Sequence, residues 1–269
     1  MTNLILVGCG KMGTALLDGW LAEGTPAENI TVIEPNAELA EDLAARGVKV
    51  LESLGGHGSY LTPSVVLLAV KPQMMDQVVP AYQVFSGDET VFLSIAAGKT
   101  LGYFESRLGD DAAIVRAMPN TPAAVGRGIT VCCGNERVGP EQQRLCHDLL
   151  EAVGEVHWVD DEGLMDPVTA LSGGGPAYVF LLAEVLADAG VEAGLERDLA
   201  ERLARVTVSG AGELMRQSSE PASRLRENVT SPGGTTAEAL KVLMMEEAWP
   251  NLAKKAIRAA TARSKELAG

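Results

Sequence analysis

Over the first 160 residues, short apolar and β-branched runs alternate with segments of helical periodicity. Runs such as residues 4–7 and 65–70 are apolar at every position, as in strands that a parallel sheet buries on both faces. The alternation of strand and helix predicts a doubly wound α/β sheet. We predict strands at 4–7, 30–33, 48–51, 65–70, 91–95, 113–117, 129–133 and 156–159, and helices at 11–23, 37–46, 73–79, 101–108 and 140–153.

After residue 160 the alternation ends, and apolar residues recur at spacings of three and four to the end of the sequence. We therefore predict two domains, an α/β domain at 1–160 and an all-α domain at 161–269. The predicted helix at 164–189 is apolar around most of its circumference, which requires burial either deep in a core or against another chain. We favour the second and expect a dimer. Further helices are predicted at 198–217, 222–227, 235–245 and 249–267.

The charge of the chain argues against several partners. Its 22 Lys and Arg residues are outnumbered by 36 Asp and Glu, giving a net charge of −14 that disfavours nucleic acid and anionic lipid surfaces. The longest uncharged run, residues 53–70, contains three glycines and a proline, so we expect no membrane segment. The N-terminal residues lack the pattern of a secretion signal, and we expect a cytoplasmic protein.

The cysteines do not have the spacing of a metal site. Cys9, Cys132, Cys133 and Cys146 form no C-x-x-C pair, and the three histidines do not cluster with them. We therefore expect no metal, and buried thiols in a reducing compartment.

The run at 4–7 leads directly into the sequence GCGKMG, a G-x-G-x-x-G motif at a turn from strand to helix. In this context Gly8 permits the tight turn, Gly10 lets backbone approach a pyrophosphate, and Gly13 allows close packing of helix on strand. The N-terminus of the following helix offers free N–H groups and the positive end of its dipole to phosphate. The motif predicts a dinucleotide site.

Glu34 follows the second predicted strand, 21 residues after Gly13. An acidic residue here accepts hydrogen bonds from the adenosine ribose and disfavours a 2′-phosphate, so Glu34 indicates NADH. The alternative reading is an exposed loop carboxylate.

Two segments of the helical half have unusual composition. Residues 172–175 place three glycines within an apolar helix, which fits either close backbone approach or a simple kink. Residues 228–236, NVTSPGGTT, gather hydroxyls and N–H groups at a helix N-terminus, which fits either a carboxylate site or an ordinary helix start.

Together with AVKP at 69–72, MPNTP at 118–122 and SGGGPAY at 172–178, these motifs resemble the pyrroline-5-carboxylate reductase family over almost the whole chain. The resemblance implies reduction of 1-pyrroline-5-carboxylate to L-proline with NADPH or NADH. It also implies an N-terminal Rossmann domain and a helical domain that joins two subunits, in dimers or rings of dimers. One departure is Gly174, where the family usually has serine.

The resemblance also implies the site residues. Gly233, Gly234, Thr235 and Thr236 would bind the substrate, with Thr236 and Ser231 in catalytic roles, and Glu162 would contact the ring nitrogen. The cofactor would be lined by Val7, Gly8, Cys9, Gly10, Lys11, Met12, Gly13, Glu34, Asn36, Ala69, Val70, Lys71, Pro72, Ala96, Ala97, Gly98 and Asn228.

Imine reduction and carbonyl reduction need different catalytic residues, and this difference separates a pyrroline-5-carboxylate reductase from a hydroxyacid dehydrogenase. An imine is itself basic and needs little acid catalysis, whereas carbonyl reduction recruits His, Lys or Tyr. No lysine occurs between Lys99 and Lys241, which disfavours a β-hydroxyacid dehydrogenase with its catalytic lysine on an early helix of the second half. Reduction of another cyclic imine, or nucleotide sensing without catalysis, stays an alternative.

Overall fold

The computed structural model describes residues 3–268, which form two compact units. Of the described residues, 3–173 together with 260–268 form the sheet unit, and Gly174–Ala259 form the helical unit. Each is described below by itself.

The sheet unit is built on eight strands in the order β3-β2-β1-β4-β5-β6-β7-β8. Every neighbouring pair is parallel except β6 and β7, so the predicted doubly wound sheet is confirmed with one reversal. The strands are β1 (Leu4–Val7), β2 (Ile30–Ile33), β3 (Lys49–Leu51), β4 (Val65–Leu68), β5 (Val91–Ser94), β6 (Ala113–Met118), β7 (Gly128–Gly134) and β8 (Gly154–Trp158).

The reversal at β7 has a local cause. Residues 119–127, with only the 3₁₀ turn Thr121–Val125, separate β6 from β7, and a parallel crossover needs a dozen or more residues. A full helix separates β7 from β8, and that pair is parallel again.

Helices cover both faces of the sheet. They are α1 (Lys11–Ala22), α2 (Ala37–Ala45), α3 (Met75–Val78), α4 (Leu101–Leu108), α5 (Pro140–Glu151) and α6 (Met165–Val168). On one face Trp20 of α1 is buried and donates from Nε1 to the Leu149 carbonyl of α5 at 2.7 Å. On the other face Phe104 of α4 packs with Phe92 of β5. The predicted helix at 73–79 is only one α-helical turn, flanked by the 3₁₀ segments Pro72–Met74 and Val79–Phe85.

The helical unit contains α7 (Gly175–Glu192), α8 (Arg197–Gln217), α9 (Ala222–Asn228), α10 (Thr235–Leu243) and most of α11 (Trp249–Ala268). Helices α7 and α8 pack on each other as a hairpin. Only Ala187, Ala200 and Ala204 of the unit are buried. By contrast, Tyr178, Phe180, Leu181 and Val185 of α7 are exposed in the single chain.

The division into units differs from the predicted boundary at 160/161. Residues 162–173 belong to the sheet unit because Met165 and Ala170 are buried there, and the end of α11 returns to the same unit. The boundary stays a prediction about functional domains. The predicted helix at 164–189 is also interrupted, since Thr169–Gly173 is a π-helical turn and α7 begins at Gly175.

Candidate active site

The glycine-rich turn between β1 and α1 has the geometry that its sequence predicts. Gly8 has φ +82°, and a Cβ there would lie 2.7 Å from Val70 Cγ1. A Cβ on Gly13 would lie 2.8 Å from the Gly8 carbonyl oxygen. By contrast, a Cβ on Gly10 would have nothing within 4 Å, so this position opens to space that a ligand can enter.

Helix α1 begins at this turn. Its N-cap is Gly10, which has no side chain to cap the first N–H groups. These groups and the positive end of the helix dipole can therefore receive a pyrophosphate, and the turn fits a bound dinucleotide. Cys9 adds no charge here, since burial raises the pKa of its thiol. Thr14 Oγ1 donates to the Cys9 carbonyl at 3.1 Å and stiffens the turn.

Glu34 lies beside the same turn, just beyond the end of β2. Its carboxylate accepts hydrogen bonds from the Cys9 and Asn36 backbone N–H groups, each at 3.0 Å. Asn36 caps α2, because its Oδ1 accepts from the Leu39 N–H at 3.0 Å. Glu34 is thus held in place, rather than being free in a mobile loop, whereas the Asn36 side chain is engaged by its own helix.

The other predicted cofactor residues of this unit gather at the same sheet edge. The Ala69 N–H donates to the Val7 carbonyl at 2.8 Å, so the segment 69–72 starts next to the glycine-rich turn. The next strand, β5, ends just before Ala96, Ala97 and Gly98. Gly98 has φ +72°, in the left-handed region that favours glycine.

Glu162 is held by the sheet unit. Its Oε1 accepts from Arg116 Nη1 at 2.9 Å and from the Leu101 N–H at 2.8 Å. Arg116 lies in β6 and is only 4% exposed. Arg116 was not among the predicted site residues, although a single charge within an apolar strand signals a buried partner.

Asn120 was missed as well. It follows β6 and joins two segments, because its Nδ2 donates to Ser172 Oγ at 3.2 Å and its Oδ1 accepts from the Ile129 N–H at 3.0 Å. Gly173, next to Ser172, faces Met118, since a Cβ there would clash with the methionine methyl group. The glycines at 173–175 therefore serve both purposes: Gly173 lets the backbone approach Met118, and the chain changes there from a π-helical turn to the α-helix α7.

The predicted substrate residues gather in the helical unit, at the start of α10. Gly233 has φ +70°, and the Gly234 N–H donates to the Ser231 carbonyl at 3.0 Å, which closes a tight turn before the helix. The N-cap is Gly234, so no side chain caps the first N–H groups, and Thr235 and Thr236 form the first turn. This helix start can therefore bind a carboxylate beside hydroxyl groups.

Asn228 lies at the end of α9, before this turn. Its Nδ2 donates to Glu220 Oε2 at 3.0 Å. In residues 3–268 no group of three or more His, Cys, Asp or Glu side chains has the arrangement of a metal site.

One helical stretch of the described residues, Glu162–Glu192, is long and apolar enough by composition to cross a membrane. The expectation of no membrane segment stays a prediction, because a helix that packs against other protein can have the same length and composition. The stretch is interrupted by the π-helical turn Thr169–Gly173.

A dinucleotide turn at a parallel sheet edge, with a separate helical unit, defines an NAD(P)H-dependent oxidoreductase. Two family models match the chain. Residues 162–267 match "Pyrroline-5-carboxylate reductase dimerisation", and residues 3–98 match "NADP oxidoreductase coenzyme F420-dependent". The first match indicates self-association of the helical half.

Relatives match over nearly the full length. The chain is 37% identical to a pyrroline-5-carboxylate reductase of Pasteurella multocida, covering 98% of this chain and 97% of the relative. It is 39% identical to that of Pseudomonas aeruginosa, covering 99% and 97%. The chain therefore belongs to the pyrroline-5-carboxylate reductase family.

Solved structures of pyrroline-5-carboxylate reductases are similar to the chain over its full length. The reductase from Coxiella burnetii is 35% identical with a TM-score of 0.93, covering 100% of this chain and 99% of the other. The Plasmodium falciparum enzyme, solved with NADP bound, is 31% identical with a TM-score of 0.83, covering 100% and 98%.

Proposed function

We propose that the protein reduces the C=N bond of 1-pyrroline-5-carboxylate to give L-proline, the last step of proline biosynthesis, with NAD(P)H as reductant. The observation that carries this proposal is the uncapped start of α10, with Ser231 before it and Thr236 in its first turn. The N–H groups of Thr235 and Thr236, in the first turn of α10, suit a substrate carboxylate, whereas the Gly234 N–H already donates to the Ser231 carbonyl. The same chain carries, in its sheet unit, the glycine-rich turn that fits a bound dinucleotide.

When bound, the reduced nicotinamide supplies a hydride from C4 to the imine carbon. The residues of the chain position the substrate for this step. We assign to the Thr236 hydroxyl the orientation of the ring nitrogen by a hydrogen bond, and to Ser231 a second hydroxyl contact. Neither hydroxyl is acidic enough to protonate the nitrogen alone, and the basic imine takes its proton from water.

We propose that Glu34 makes NADH the preferred reductant. Its carboxylate is fixed by two backbone N–H groups beside the glycine-rich turn, where the adenosine ribose binds in this fold. A 2′-phosphate near it would cost a few kcal/mol, to order of magnitude, at an effective dielectric of about 20. Use of NADPH stays the alternative, since a relative was solved with NADP bound.

We further propose that the exposed apolar face of α7 forms a dimer, alone or within a ring of dimers. The protein would act in the cytoplasm, where its four buried free cysteines stay reduced.

The test is steady-state oxidation of NADH and of NADPH by purified protein with 1-pyrroline-5-carboxylate, repeated with Glu34→Ser. We expect turnover, and a shift of kcat/KM toward NADPH by about 10- to 100-fold in the variant. Asp42→Ser, on the exposed surface of α2, is the charge-matched control. Cofactor binding without turnover would refute this substrate and favour another cyclic imine, whereas unchanged cofactor preference in Glu34→Ser would refute the role of Glu34.

A further inference from the structure

The loop 95–100, between β5 and α4, ends where Glu162 binds the start of α4. The Leu101 N–H, at the start of α4, donates to Glu162 Oε1 at 2.8 Å. The same oxygen is paired with the buried Arg116 guanidinium at 2.9 Å. Because Arg116 is fixed in a central strand, the carboxylate anchors the end of the loop to the sheet.

The last turn of α11 contacts the same loop at Gly98. A Cβ built on Gly98 would lie 3.2 Å from the Leu267 carbonyl oxygen and 3.3 Å from Leu267 Cβ. Helix and loop are therefore in direct contact at a position where the backbone already needs glycine.

A third contact joins α11 to α6, which follows Glu162. Ser264 of α11 is buried, and its Oγ donates to Asp166 Oδ1 at 2.7 Å. Asp166 is in α6, just after Glu162 in the chain, and Met165 between them is fully buried in the sheet unit. We call four residues the C-terminal brace: Glu162, Asp166, Ser264 and Leu267. Glu162 and Leu267 contact the two ends of the segment 98–101, and the hydrogen bond from Ser264 to Asp166 links α11 to α6 within one unit.

We propose that the C-terminal brace positions the loop 96–98 for NAD(P)H, so that the last turn of the chain contributes to cofactor affinity. The inference rests on the proposed function, because that assigns the loop to the cofactor. A loop already ordered in the free protein need not be ordered on binding, which strengthens binding. The four residues are positioning residues, and the carboxylate of Glu162 is used for the loop rather than for the substrate ring.

The experiment compares Ser264→Ala and Asp166→Ala, each of which removes one partner of the hydrogen bond between α11 and α6, with the wild-type protein. We expect KM and the directly measured Kd for NADH and NADPH to rise by about tenfold, while kcat at saturating cofactor stays within about twofold. Glu266→Gln, in the same turn but on the exposed surface, is the matched control. Asp166→Asn keeps an oxygen that accepts from Ser264 and should stay close to wild type, whereas Asp166→Ala should not.

Thermal unfolding separates positioning from a merely structural role. A lower Tm with unchanged KM and Kd would overturn the proposal. If Asp166→Ala does not fold, Ser264→Ala and Asp166→Asn decide. Wild-type protein that binds cofactor but does not reduce 1-pyrroline-5-carboxylate would contradict the proposed function, while the Kd values of the same variants would still decide whether the brace exists.

Discussion

The sheet unit and the helical unit differ in how much apolar surface they bury within one chain. Strands β1, β2, β4 and β5 are buried at every position, and their side chains form a core on each sheet face. The helical unit buries only three alanines and leaves Phe180 of α7 69% exposed. A unit with so little interior cannot offset its chain entropy alone. The sheet unit therefore supplies its own stability, and the helical unit needs a second copy.

The largest expected effect comes from placing a charge on the exposed face of α7. In Phe180→Asp we expect loss of self-association and at least about a 100-fold loss of activity, because each symmetric interface would bury two unpaired carboxylates. Sedimentation and steady-state kinetics measure both. Val84→Asp, at an exposed apolar position of the sheet unit, should keep the wild-type assembly.

The reactivity of the four cysteines shows whether the sheet unit stays folded in Phe180→Asp. All are buried there, and burial raises the pKa of Cys146 to about 12, so the folded unit should resist thiol reagents at pH 8. If the sheet unit is self-sufficient, the thiols of dissociated Phe180→Asp stay protected. Rapid labelling of all four on dissociation would contradict the comparison between the units.

A smaller effect is expected from a cavity in the sheet unit. Phe92→Ala, at a fully buried position of β5, should lower the free energy of unfolding by about 3–5 kcal/mol. Urea denaturation followed by the fluorescence of buried Trp20 measures the loss. Phe180→Ala is the same substitution in the helical unit and should change this transition much less. Equal losses in both variants would show that the two units unfold together.

The smallest effect is expected at the surface of the sheet unit, where Asp76 accepts hydrogen bonds from Tyr103 and Arg107. The Tyr103 bond and then Arg107 hold the pKa of Asp76 below its usual value. Its stabilising effect is present above the unfolded pKa of about 4 and is lost as pH falls through the lower folded value. Asp76→Asn should therefore lower Tm by less than about 2 °C at pH 7, and the difference should vanish near pH 2.

Tm measured from pH 2 to pH 7 checks this pH dependence. Asp88→Asn removes the same charge from the same unit as a control. A Tm difference that persists unchanged at pH 2 would exclude the ion pair as its cause.

Much of the sheet unit was predictable, because continuous apolar runs and the glycine spacing each have one physical interpretation. The orientation of β7 was not, since a strand pattern reads the same in both directions and only the short connection before it forces the reversal. Helical periodicity likewise cannot tell which unit the end of α11 joins.

The candidate site divides in the same way. Gly8 and Gly13 belong to one motif, whose glycine spacing predicts a tight turn, and the structure gives them that geometry. Glu34 lies beside this turn, as its position after β2 predicts, although its contact with Cys9 spans 25 residues. Arg116, Ser264 and Leu267 contact residues far away in sequence, and no local pattern announces those contacts. The roles of Ser231 and Thr236 stay predictions until substrate binding is measured.

The return of α11 to the sheet unit also orders events during synthesis. A ribosome makes the strands first, and N-terminal domains generally fold as they emerge. Here residues 260–268 belong to that first unit but are translated after the whole helical unit. The nascent sheet can form its core early, yet Gly98 meets Leu267 only once α11 is made, so this loop reaches its native surroundings only after the helical unit has been synthesised.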